Sequence, residues 1–119
     1  MKNKPTYNFF KNTSYAIKGL KELIKNETSF KIELVLVTFL IPIIIFVDVL
    51  IVNKILMFVT LFFILIAEAI NSAIERVVDL VTQEYHELAG QAKDIGSAIV
   101  FLSIVTFLIT WGLILTADS

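Results

Sequence analysis

The stretch ILMFVTLFFILIAEAINSAIERVVDL, residues 55–80, decides what kind of protein this is. Its first half, Ile55 to Ala67, carries no charge. A bilayer selects such a run, because a helix satisfies all its backbone polar groups internally and lipid offers no partners. The second half then changes character on one side only. At 100° per residue, Glu68, Ser72, Glu75 and Asp79 fall within an arc of roughly 60°, with Asn71 at its edge. Glu68 precedes Glu75 by roughly 10 Å along the axis, so it lies inside the hydrocarbon margin while Glu75 and Asp79 approach the headgroups. An ionisable group at membrane depth costs about 2.5–3.5 kcal/mol and as a rule faces a bundle interior or a functional path. One such residue is equally well explained as an interhelical hydrogen bond that fixes assembly. Five polar groups on one stripe point to a site.

Working outward, two more apolar blocks appear. Leu34 to Val47 is uncharged and its apolar character continues past Asp48 to Val52, while Ile95 to Ala117 is uncharged throughout. The fold expected is an all-α membrane protein, a single domain over residues 1–119. It has an N-terminal amphipathic surface helix at about residues 5–25 and three transmembrane helices at about 32–50, 54–81 and 92–117. Pro42 is expected to kink the first span by removing a backbone donor. The surface helix is read from Phe9, Phe10, Ile17, Leu20, Leu23 and Ile24, which recur at helical spacing, while Lys11, Lys18 and Lys25 repeat every seven residues on another face.

Composition agrees. Of 119 residues 57% are hydrophobic, with a mean hydropathy of +0.84, which argues against a water-soluble core. The net charge of −1 implies no nucleic-acid partner, and with no cysteine there are neither disulfides nor thiolate metal sites. Seven of the ten basic residues (Lys2, Lys4, Lys11, Lys18, Lys21, Lys25 and Lys31) precede the first long apolar block. That asymmetry predicts a cytoplasmic N-terminus and, after three crossings, a C-terminus outside. The first thirty residues lack the compact apolar region and cleavage site of a secretory signal, so the N-terminus is expected to be kept.

Two further polar groups bear on chemistry. QEYHELAGQAKDIGSA, residues 83–98, joins the last two spans. Alone it reads as a solvated hairpin, and His86 as a surface histidine. Beside the carboxylate stripe it supplies what phosphoryl transfer needs, a lysine (Lys93) to neutralise phosphate and carboxylates for Mg²⁺. Where the surface helix meets the first span stand Glu27, Lys31 and Glu33. Glu27 is expected level with Glu75, and two carboxylates there could share a hard divalent ion. The GxxxxGK[ST] loop, the Gly-rich kinase loop and the HRD and DFG elements of soluble nucleotide enzymes are all missing.

These motifs carry a resemblance. Glu68-Ala-Ile-Asn71-Ser-Ala-Ile-Glu75 followed by Val-Val-Asp79, then Glu84-Tyr85-His86-Glu87-Leu88, then Ala92-Lys93-Asp94-Ile-Gly96-Ser97-Ala98, are similar to the prokaryotic diacylglycerol kinase family. Tyr15-Ala-Ile-Lys18-Gly19-Leu20 and Asn26-Glu27 add a weaker match. The resemblance covers almost the whole chain. It implies an ATP-dependent kinase that converts diacylglycerol to phosphatidic acid in the bacterial cytoplasmic (inner) membrane, as a homotrimer with sites between subunits. It also implies Glu68 as the general base, and Glu27 and Glu75 as ligands of Mg²⁺ bound with ATP as co-substrate. On the nucleotide side it sets Tyr15, Asn71, Glu84, Tyr85, His86, Lys93 and Asp94. On the lipid side it sets Lys31, Glu33, Ser97 and Trp111, with Glu68 between the two substrates. One departure stands out. The family commonly has an arginine in the surface helix where this chain has Asn8. Lys11, one turn on, offers charge without a guanidinium's bidentate geometry.

Alternatives divide by acceptor and by class. An undecaprenol kinase of the same superfamily would use the same site with a polyprenol. A small membrane transporter would also place a glutamate in a helical bundle, but such chains usually have four spans and no dense polar hairpin. A purely structural subunit leaves the polar stripe without a reason.

Overall fold

A computed structural model describes residues 8–117. Four helices follow one another: α1 (Phe9–Asn26), α2 (Thr28–Phe46), α3 (Ile51–Val81) and α4 (Glu87–Thr116). The protein is an all-α, multi-pass membrane protein, and α2, α3 and α4 are each long and apolar enough to cross a bilayer. The first residues assigned to the surface helix, 5–7, lie outside the described residues.

Each helix end has a local cause. Asn8 has extended backbone and its side chain accepts the Lys11 N–H at 3.0 Å, an N-cap that satisfies one of the open donors of α1. Glu27 alone separates α1 from α2. Its backbone is extended (φ −110°, ψ 107°), and its N–H closes α1 on the Leu23 carbonyl. The helix α2 therefore begins at Thr28, ahead of the expected membrane segment, and continues through Pro42 to Phe46, short of residue 50. Pro42 supplies no N–H to the carbonyl one turn earlier. At the far end Lys54 crosses the short connection and donates its ammonium to the Ile45 carbonyl at 2.8 Å, closing one of the free acceptors of α2.

The longest helix is the middle of the bundle. At 1.5 Å per residue α3 runs roughly 46 Å, well beyond a hydrocarbon core of about 30 Å, so its polar turns extend towards the headgroups. Of its most apolar stretch 44% is buried, against 17% for α2 and 11% for α4. Its buried seam runs at helical spacing through Met57, Leu61, the adjacent pair Ile64 and Leu65, Glu68, and the adjacent pair Asn71 and Ser72. From α2 come Phe30, Val37 and Ile44, seven residues apart, and from α4 Gly96, Ser103 and Trp111. These steps bring one face of each helix inward. Lipid tails are as apolar as leucine, so packing and interhelical hydrogen bonds hold the bundle together. The clearest bond is the Trp111 indole N–H, which reaches both the Met57 carbonyl (3.2 Å) and the Thr60 hydroxyl (3.0 Å).

Small residues set how closely α3 and α4 approach. A Cβ built on Gly96 would overlap the Asn71 side-chain oxygen and stand 3.3 Å from its Cγ. Gly96 is there because Asn71 fills the space a side chain would need.

Candidate functional site

The same seam that carries Met57, Leu61 and Leu65 turns acidic at Glu68, so the packing that buries the leucines buries the carboxylate as well. Glu68 is 6% exposed, Ser72 is buried, Glu75 half-buried, and Asp79 exposed at the end of the stripe. From α2, one turn past Phe30, Glu33 brings its carboxyl beside that of Glu68. The charges of Glu27 and Glu75 also bear on Glu68. Four carboxyl groups from the α1–α2 junction, α2 and α3 thus converge at one end of the bundle. Glu33 Oε2 is buried without a hydrogen-bond partner, and so is Asn71 Oδ1. Carboxyls gathered in this way are held by sharing a proton or by a cation. The arrangement suits a group that takes up a proton and neighbours that receive a positive ion.

A second polar group sits where α3 passes to α4. Asp79, Thr82, Glu84, Tyr85, His86 and Lys93 line a cleft of about 210 Å³. Lys93 Nζ lies 2.8 Å from Asp79 Oδ1 and within the field of Glu75, which links the cleft to the carboxylate group. His86 is the N-cap of α4, its Nδ1 accepting the Leu88 N–H at 3.2 Å. That bond fixes the ring and leaves its Nε2 edge free of the capping role. Tyr85 is 93% exposed, its ring offered to solvent.

Other residues singled out in the sequence stand apart from these two groups within one chain. Tyr15 is exposed on α1, where the Lys18 ammonium approaches its ring at 5.9 Å. Lys31, Asp94 and Ser97 are exposed on α2 and α4. Trp111 is in the hydrophobic core with Met57, Leu61 and Ile44. Along α3 its partner Thr60 is eight residues before Glu68, roughly 12 Å.

One member of the site was missed in the sequence. Arg76, the chain's single arginine, sends its guanidinium from α3 to the α1–α2 junction. Nη2 stands 3.1 Å from Glu27 Oε1 and 3.4 Å from Glu22 Oε2. The available signal was a unique arginine immediately after Glu75.

Comparison with known proteins gives a consistent answer. A family model described as prokaryotic diacylglycerol kinase matches residues 14–115. A diacylglycerol kinase of Haemophilus influenzae is 43% identical over 104 residues, 87% of this chain and 88% of that protein. The diacylglycerol kinase of Escherichia coli is 41% identical over 105 residues, 88% of this chain and 86% of that protein. That of Pseudomonas aeruginosa is 37% identical over 103 residues, covering 87% and 84%.

Proposed function

The chain belongs to the prokaryotic diacylglycerol kinase family, and from that premise we propose that it transfers the γ-phosphoryl group of ATP to the primary hydroxyl of diacylglycerol, giving phosphatidic acid and ADP. It is a lipid kinase whose chemistry centres on Glu68. The observation that carries this reading is the burial of Glu68 among three other carboxyls at the charged end of a membrane bundle.

In the reaction the acceptor oxygen forms a bond to the γ-phosphorus as that phosphorus separates from the bridging oxygen of ADP. The hydroxyl proton passes to the Glu68 carboxylate. The lipid keeps its chains in the bilayer, so only its head has to reach the interface. Lys93 lends positive charge to the phosphates from the rim of the cleft, and Asn71, Glu84, Tyr85, His86, Asp94 and Tyr15 form the nucleotide side. Lys31, Glu33, Ser97 and Trp111 form the lipid side.

Glu27 and Glu75, both near enough to Glu68 for their charges to act on it, are the residues that would hold magnesium, and the unpartnered Glu33 Oε2 belongs to the carboxyl beside Glu68. Among the described residues no three histidine, cysteine or carboxylate groups are set to hold an ion by themselves. That donor set fits Mg²⁺, which takes one or two carboxylates and completes its octahedron with water and substrate phosphates. When bound, the ion neutralises charge developing on the phosphate oxygens.

Homotrimeric assembly, with sites completed between copies, follows from the same reading. Its support is the open apolar surface of α2 and α4, together with Asp94 and Ser97 lying outside the carboxylate group of their own chain. The lysine-rich first segment supports an inner-membrane protein with its N-terminus and site towards the cytoplasm and its C-terminus outside.

The test is transfer of labelled γ-phosphate to a panel of lipid alcohols in micelles, with and without magnesium. Label is expected in phosphatidic acid only when magnesium is present. Label on a polyprenol alone would reassign the acceptor, and none on any lipid alcohol would remove the kinase reading.

A further inference from the structure

The guanidinium of Arg76 occupies a position with a chemical conflict built into it. It pairs with Glu27 and Glu22 at the mouth of the carboxylate group, where its side chain is 44% exposed and Glu27's is 25% exposed. The guanidinium engages Glu27 through Oε1, and its positive charge opposes a metal ion arriving at the same carboxylate. A polyphosphate approaching Glu27, Glu33, Glu68 and Glu75 also meets like charge, and a fixed cation has to offset it. Among the described residues, Arg76 and Lys93 are the cations in ion pairs at this end of the bundle, and Lys93 is engaged by Asp79 on the other rim.

Both difficulties are resolved if the guanidinium changes partners. Its planar fork fits a phosphate as well as a carboxylate. A half-exposed ion pair is weak enough to exchange readily, and the arm starts one residue from Glu75. We propose that Arg76 is a phosphate-binding residue that screens Glu27 in the empty protein and moves to the nucleotide phosphates when Mg-ATP arrives, freeing Glu27 for the ion. The inference rests on the kinase reading of this same site and adds a residue and an order of events to it.

The competing account makes Arg76 only a tie between α1 and α3. Binding separates the two, measured on the full chain in micelles. The probes are Mn²⁺ alone by electron paramagnetic resonance, and a β,γ-imido ATP analogue or AMP by calorimetry with Mn²⁺ present. R76Q should bind Mn²⁺ alone more tightly, since a competing cation is gone. It should bind the ATP analogue about tenfold or more weakly, with AMP unaffected, and R76K should fall between. E22Q loosens the tie and keeps the guanidinium, so its affinity for the analogue should stay within about twofold of the unsubstituted protein. Metal and nucleotide affinities moving in the same direction, or equal losses for AMP and the ATP analogue, would make Arg76 a structural tie. R76K provides the same readout if R76Q does not fold. Failure of the unsubstituted protein to bind the ATP analogue would overturn the kinase reading and this inference together. Normal binding there, unchanged in R76Q and R76K, would overturn this inference alone.

Discussion

The indole N–H of Trp111 on α4 is shared between the hydroxyl of Thr60 and the carbonyl of Met57 on α3, at 3.0 and 3.2 Å. Thr60 in turn donates to the same Met57 carbonyl at 2.8 Å, so the three groups form a closed polar knot in an apolar core. Interhelical hydrogen bonds in bilayers contribute about 0.6–2 kcal/mol. W111F should lower stability by about that amount in micelle denaturation and raise the apparent KM for lipid, as the proposed lipid-side place of Trp111 requires. Reduced stability with the lipid KM unchanged would make Trp111 a tie between α3 and α4 alone.

Replacing Glu68 by glutamine keeps the shape of the side chain and removes its capacity to accept a proton. Turnover should fall by about 10²–10⁴-fold, while affinity for a non-hydrolysable Mg-ATP analogue stays close to normal. Near-normal turnover would remove the base assignment.

E75Q acts one level along the same stripe, where the side chain is half-buried and open to the charged end. Loss of one charged oxygen ligand should weaken Mg-nucleotide binding by about tenfold or more. Excess magnesium should restore part of the loss. Unchanged nucleotide affinity in calorimetry would count against a metal role for this residue.

G96A puts a methyl group where the Asn71 amide now lies. The amide is the far end of a side chain and can rotate, so the effect on stability should be modest, about 1 kcal/mol. Activity should fall further than stability does, because displacing a positioned site residue by about 1 Å can cost up to 10²-fold. In an N71A background the same glycine substitution should cost almost no stability, and a full additive loss there would show that the two residues are not coupled.

Much of this architecture was legible because a bilayer writes simple rules into a sequence. The all-helical class and the three spans followed from uncharged runs, and the inward turn of Glu68 and Ser72 followed from a polar stripe that runs on through half-buried Glu75 to exposed Asp79. Other features depend on which helix faces which, and spacing within one helix carries no such information. Glu33 reads as a boundary residue until α2 packs on α3 and sets its carboxyl beside Glu68. Arg76 lies outside the 60° stripe and acts across 49 residues, on a partner at the foot of another helix. The start of α2 at Thr28 was hidden because neither glycine nor proline marks the break from α1. His86 looked like a loop residue, and only the backbone shows that it caps α4. Asn8 proved to be a helix cap, a local role that its residue type already allowed.

The junction at Glu27 has a further consequence. The chain changes direction there within a single residue, and that residue also carries one of the converging carboxylates. The corner of the backbone and the chemistry of its side chain are thus one mechanical object. A tilt of α1 against α2 would swing this carboxylate with it, so whatever α1 leans on has a lever on the carboxyl group one peptide unit long.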